Sequence, residues 1–169
     1  MAEMQIGGRP GSVYTETEML QGKAPRPGTL YTETTESGEK KFVLVKTTTG
    51  NLINGTVVTI ASSYNATATA VDGNVAAAGH TVGVLVVSVT ASTSSICWAQ
   101  IYGPGNVLAS AGALPNVAMA TGSVAGAVDD GVTSASAAIA GLVLTATASG
   151  AGSILTACIL SFPHFMRKT

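Results

Sequence analysis

The segment AGLVLTATA, residues 140–148, alternates its side chains more strictly than the rest of the chain. Side chains two residues apart share one face of an extended strand. One face therefore carries Leu142, Leu144 and Ala146, and the other carries Val143, Thr145 and Thr147. A period of two is typical of a β-strand, and it predicts that this region is built from strands.

Five other short segments are rich in Val, Ile and Thr, which favours strands. They are KFVLVK (41–46), GTVVTIA (55–61), HTVGVLVVSVTA (80–91), SICWAQIYG (95–103) and SILTACILSF (153–162). Turn-forming residues separate them, including Asp72-Gly73-Asn74 and Gly103-Pro104-Gly105-Asn106. We predict an all-β fold with a compact body over residues 41–169, in the form of a β-sandwich, a jelly roll or a small barrel.

Two parts of this body resemble each other. GVLVVSVTASTSSI (83–96) and GLVLTATASGAGSI (141–154) share Thr, Ala and Ser steps and the same final Ile. Each pattern predicts a hairpin, in which two strands are joined by a connection of small residues. The similarity therefore favours a repeated supersecondary structure.

Residues 1–40 have a different character, because prolines and glycines interrupt them and no period is sustained. They contain the octapeptide PGSVYTET (10–17) and its near copy PGTLYTET (27–34), which agree at six of eight positions. We predict an extended N-terminal arm that docks by adding strands to the edge of another sheet. The alternative is a pair of short strands in the protein's own sheet. The candidate docking residues are Val13, Tyr14, Thr15, Leu30, Tyr31 and Thr32.

Charge is distributed unevenly along the chain. Residues 1–46 hold twelve of the seventeen charged side chains, whereas residues 47–166 hold only Asp72, Asp129 and Asp130. A surface with so few charges protects a monomer poorly against association, so we expect an oligomer. The candidate interface residues are Trp98, Tyr102, Leu142 and Leu144. Trp and Tyr are enriched at interface hot spots, although core packing is the alternative for Trp98.

The sequence offers little to an enzyme or to a cofactor. The two histidines, His80 and His164, are not accompanied by a G-x-S-x-G elbow or by clustered metal ligands. Asp129-Asp130 is typical of a turn rather than of a calcium site. A net charge of −1 without a basic patch predicts no nucleic-acid partner. We therefore expect no catalytic residues, no cofactor and no metal.

Two further features concern burial and membranes. Cys97 and Cys158 lie in apolar runs and are predicted to be buried free thiols, with a disulfide as the alternative. Residues 134–162 carry no charge and are long enough to span a bilayer, but Ser, Thr and Gly are frequent there. The N-terminus lacks the pattern of a secretory signal. We expect no membrane partner.

The segment WAQIYGPGNVLASAG (98–112), in a charge-poor body, resembles segments of small bacteriophage virion proteins. The overall build, an extended N-terminal arm with a compact β body, is similar to head decoration (cement) proteins. That resemblance implies a homotrimer on the outer capsid surface of the virion, assembled in the host cytoplasm. It also implies that the arm contacts the major capsid protein and that the protein reinforces the shell. The alternatives are a head fibre or tail-associated β protein, or a bacterial membrane or surface protein.

Overall fold

A computed structural model describes residues 9–47, 51–69, 80–90, 94–130 and 137–166. The elements are β1 (Val13–Thr15), α1 (Glu16–Leu20), β2 (Leu30–Thr35), β3 (Gly38–Thr47), β4 (Val57–Ile60), β5 (Asn65–Ala68), β6 (Thr81–Leu85), β7 (Ser95–Ser110), β8 (Met119–Thr121), β9 (Val128–Asp129), β10 (Ala138–Leu144) and β11 (Ser153–Phe165). The all-β prediction is confirmed, since eleven strands form one sheet. The predicted turn at 72–74 lies outside the described residues.

The sheet is organised around β7, which is the longest strand of the described residues at 16 residues. Its first half pairs with β3 along one edge and with β1 and β6 along the other. Its second half pairs with β11 and β9. All other strands connect to β7 directly or through one of these neighbours.

The pairings of β7 close a first ring of five strands. Around this ring, β3 pairs with β5, β5 with β4, β4 with β6, β6 with β7, and β7 with β3 again. The enclosed apolar side chains include Val45, Val58, Leu85, Cys97 and Ala99. This arrangement is a small closed barrel filled by its own side chains.

A second ring of five strands repeats the connectivity of the first. It runs from β7 to β9, β8, β10 and β11 and back to β7. In chain order, the strands of the two rings are β3 to β7 and β7 to β11. In each ring the first strand in chain order pairs parallel with the third and antiparallel with the fifth. Strand β7 is the last strand of the first ring and the first strand of the second. The two rings therefore share one strand.

The repeated hairpin that the sequence predicted is present in both rings. Strands β6 and β7 pair antiparallel in the first ring, and β10 and β11 pair antiparallel in the second. In the alignment of the two segments, Ser95 at the start of β7 falls on Ser153 at the start of β11. The peptide groups of Leu52 and Val89 are bonded in one ring, as those of Ala113 and Ala148 are in the other.

The predicted turn at residues 103–106 is wrong, because β7 continues through it. Gly103 has a φ of 90° and lies beside a register shift between β3 and β7, so the strand bends there without ending. The buried Gln100 side chain donates from Nε2 to the carbonyl oxygens of Tyr102 (3.1 Å), Gly103 (3.3 Å) and Pro104 (2.9 Å). These bonds join three consecutive carbonyl groups at the bend to one side chain, and they give the buried amide its partners.

The prediction of an extended N-terminal arm is also wrong for the described residues. Strand β1 of the first octapeptide pairs with β7, and β2 of the second pairs with β3 over six residue pairs. The boundary expected at residue 40 falls inside β3. The alternative, short strands in the protein's own sheet, describes both copies.

The bend in β7 generates a stability prediction. A Cβ at Gly103 would lie 2.1 Å from the carbonyl oxygen of Glu39, whereas one at Gly112 would meet no atom within 4 Å. Both glycines have nearly the same φ, 90° and 91°. We expect Gly112→Ala to lose about 1–2 kcal/mol of unfolding free energy, from φ strain alone. Gly103→Ala should lose about 4 kcal/mol or more, because backbone must also move.

Urea unfolding followed by circular dichroism measures both free energies. Equal losses of unfolding free energy in the two variants would contradict the close approach of β7 to β3, because a methyl group at Gly103 would then cost no more than the φ strain.

Candidate interaction surfaces

The octapeptides cover the outer face of β7 and β3. Trp98, with 1% of its surface exposed, is buried beside Phe42, Leu44 and Ile96. Tyr14, Met19 and Tyr31 pack on this cluster from the N-terminal segment, and we call these three residues the tyrosine layer. The Tyr31 ring centroid lies 5.9 Å from that of Trp98 and 6.2 Å from that of Phe42. The repeat thus supplies one tyrosine from each copy to the same cluster.

The structure separates the six predicted docking residues into two groups. Tyr14 and Tyr31 pack inward in the tyrosine layer, and Thr15 caps α1. The Thr15 hydroxyl accepts from the Glu18 N–H at 3.2 Å, and the Glu18 carboxylate accepts from the Thr15 N–H at 2.8 Å. The bond from the Thr15 N–H, followed by the bond that the Thr15 hydroxyl donates to the same carboxylate at 2.9 Å, holds the pKa of Glu18 below its usual range. The remaining three, Val13, Leu30 and Thr32, are exposed with no such structural role.

Three of the four predicted interface residues lie in the core of the chain itself. Trp98, Leu142 and Leu144 are at most 1% exposed, so their predicted interface role is wrong. Leu142 and Leu144 face the interior of the second ring, where they pack with Leu160. Tyr102 is half-buried, and its ring lies 5.2 Å from that of Phe162.

The opposite face of the same strands is apolar and exposed. Val143, Leu155 and Ile159 are 37%, 47% and 45% exposed, and Val143 pairs directly with Ile159. We define the β11 face as these three residues and Ala157. No charged side chain occurs within residues 137–166. The sequence correctly indicated an uncharged surface, but the alternation alone could not say which side of β10 would be covered.

A groove opens at one end of the first ring. It has a volume of about 750 Å³. Its floor is formed by ring side chains and its walls by aromatic and aliphatic side chains, with hydroxyl and imidazole groups and Pro163 around them. The lining residues are Leu30, Val43, Ile60, Ala61, Ser62, Tyr64, His80, Thr81, Ile101, Phe162, Pro163 and His164. We call this cavity the aromatic groove.

Two walls of the aromatic groove adopt an unusual backbone conformation. Tyr64 and Phe162 have φ values of 59° and 49°, in the left-handed region that bulky residues rarely adopt. Both residues nevertheless remain about half exposed, at 41% and 50%. Sequence inspection could not identify this pair, because neither position carries the Gly or Asn that marks such a conformation.

The titratable side chains of the described residues are scattered or have structural roles. No group of three or more His, Cys, Asp or Glu side chains in them could hold a metal ion. The Asp130 carboxylate accepts from the Leu114 N–H, so it stabilises a loop. Cys97 and Cys158 are free and belong to different rings, which removes the disulfide alternative. Burial raises the pKa of both thiols to about 12.

Helix length also bears on the membrane alternative. Among the described residues, no helix has the length and hydropathy required to cross a bilayer. The described part of residues 134–162 contains β10, the connection after it and most of β11.

No protein-family model matches the chain, and no curated protein is significantly similar to it.

Trp98 is the only tryptophan, so its fluorescence emission reports on the packing of the tyrosine layer. Its Nε1 is buried without a hydrogen-bond partner among the described residues, so packing alone holds the indole. Tyr31→Ala should lose about 2 kcal/mol of unfolding free energy and shift Trp98 emission to longer wavelength. Tyr31→Phe should retain the native emission, since it keeps the ring. Unchanged emission in Tyr31→Ala would contradict the packing role of the layer.

Proposed function

We propose that this protein is a bacteriophage head decoration (cement) protein. In this proposal it binds the outer surface of the capsid as a homotrimer and stabilises the shell. The β11 face carries the proposal, because it exposes apolar side chains on a chain segment that has no charge. Such a surface favours permanent burial in an assembly over a monomer in solution.

The two sides of the molecule suggest two different contacts. The β11 face suits the contact between copies, since an uncharged apolar surface is matched by another of the same kind. The N-terminal segment carries most of the charges and ends its sheet in β2, which pairs only with β3 among the described residues. Its free edge suits strand addition by the major capsid protein.

The phage context comes from the resemblance of residues 98–112 to segments of small bacteriophage virion proteins. The proposed location is the outer capsid surface, after assembly in the host cytoplasm. The proposed role is structural and non-enzymatic, with no cofactor and with neither nucleic acid nor a membrane as partner.

The oligomer contact is tested by placing a charge on the β11 face. Val143→Lys should dissociate the oligomer, because an unpaired ammonium in an apolar contact is costly to bury. Val124→Lys is the matched control, since Val124 is similarly exposed at 52% but lies outside this face. Light scattering coupled to size exclusion measures the mass. If the wild type were a monomer, or if Val143→Lys formed an oligomer of unchanged mass, the β11 face would not be the contact between copies.

Binding to heads is tested with point substitutions. Deleting residues 1–34 would strip β1 and most of β2 from the sheet and expose Trp98. Leu30→Asp instead alters one side chain that is 69% exposed on β2, and Leu20→Asp, at 78% exposed on α1, is the matched control. We expect saturable cosedimentation of the wild type with undecorated expanded heads, and about tenfold weaker binding of Leu30→Asp only.

The absence of saturable wild-type binding would refute the decoration role. Equal weakening by Leu20→Asp and Leu30→Asp would refute docking through β2.

A further inference from the structure

We infer that the aromatic groove and the free edge of β2 together bind an extended polypeptide segment that inserts an uncharged apolar side chain. This inference deepens the proposed function by naming the chemistry of the partner. It rests on that function only for the identity of the partner.

The position of the groove is one at which folds commonly bind ligands. It lies at the open end of the first ring, and the mouth of a small barrel is a recurrent binding site. Val43, Ile60 and Ile101 line it from β3, β4 and β7, and all three belong to the enclosed core of that ring. An inserted apolar side chain would therefore reach the apolar interior of the ring.

The walls are held in a costly backbone conformation, although Phe162 also contacts Tyr102 and the Tyr64 ring lies over Gly28. A bulky residue in the left-handed region costs of the order of 1–3 kcal/mol. Tyr64 and Phe162 both adopt this conformation, yet expose about half of their surface beside the same groove. Strained residues concentrate at ligand clamps, where a bound group gains the contacts that the free protein lacks.

The lining selects an uncharged group. None of the twelve lining residues is Asp, Glu, Lys or Arg, so a buried charge would find no carboxylate, ammonium or guanidinium partner in the lining. The Lys41 ammonium lies 5.8 Å from the Phe162 ring centroid, but it is paired with the Glu39 carboxylate at 3.2 Å. A charged side chain of either sign would therefore lose solvation on entering the groove without gaining an unpaired partner.

The adjacent backbone indicates that the group belongs to a polypeptide. Leu30 is both a wall of the groove and the first residue of β2. Leu44 of β3 donates its N–H to the Thr29 carbonyl oxygen, so its peptide groups bond towards β2, and those of the alternate residue Phe42 do the same. In β2, every second residue directs its N–H and C=O groups away from β3 and towards the free edge. These residues are Leu30, Thr32 and Thr34. An added strand would gain main-chain bonds there and place a side chain towards the groove.

The test uses blocked amino acids as probes and amide NMR of the full chain. N-acetyl-phenylalaninamide and N-acetyl-leucinamide should bind saturably, with Kd values of about 1 mM, as expected for a single side chain. The shifted amides should include Leu30, Tyr64 and Phe162. N-acetyl-lysinamide and N-acetyl-glutamic acid amide should produce no saturable shift. Saturable binding of maltose without binding of the apolar amides would overturn the inference in favour of a sugar site.

Substitution of the strained walls separates binding from packing. Asn tolerates the left-handed region but lacks the ring, so Phe162→Asn should weaken probe binding at least about tenfold without lowering the melting temperature. Phe162→Tyr is the control that keeps both the ring and the binding. Tyr64→Asn provides the same test at the other wall if Phe162→Asn does not fold. Unchanged probe affinity in the folded Asn variants would overturn the inference.

The outcomes for this site and for the proposed function are distinguishable. Probe binding without binding to heads would uphold the groove and refute the capsid partner. Binding to heads without shifts of groove amides would overturn only this inference.

Discussion

The structure depends on the requirement that β7 be buried on both faces. Its apolar side chains alternate between two separate clusters, with Cys97 and Ala99 inside the first ring and Ile96 and Trp98 on the outer side. Closing the ring covers only one of these faces. The tyrosine layer covers the other, so the octapeptides complete a core that the remainder of the chain leaves open. This requirement explains why the same Tyr-containing sequence occurs twice.

Small side chains allow two rings to share one strand. Val57 and Val84 point outwards from the first ring and join the core of the second, whereas their neighbours Val58 and Leu85 point inwards. Gly83 lies between Ile60 and Ala99, where a Cβ would approach both side chains to about 3 Å. A chain with 5% aromatic residues can therefore build two thin cores in place of one thick core.

Local pattern predicted the fold class but not the long-range contacts. The alternation at residues 142–144 and the repeated hairpin were visible because they depend on neighbouring residues. The pairing of Val13–Thr15 with β7 joins residues far apart in the chain over only three positions, so no periodicity reveals it. Gly103-Pro104 has turn chemistry, yet the bonds donated by Gln100 retain it within a strand. The aromatic groove was not predictable, since it requires ring closure and two left-handed aromatic residues.

The alternation of side chains along β10 also determines which of them are buried and which are exposed. On β10, Leu142 and Leu144 complete the core of the second ring, and Val143 between them remains available to a partner. An interface prediction that relies on apolar character alone assigns both sets to the same role. Only the direction in which the ring closes distinguishes them.

The shared strand has a mechanical consequence. Seven residue pairs join β7 to β3 and nine join it to β11, so the backbone ladder runs through both rings without a flexible linker between them. A force applied along β7 would load many of these bonds in shear at once, and neither ring could be pulled away while the other stayed whole. The two rings therefore form a single element that resists tension, although their connectivity is that of a duplicated unit.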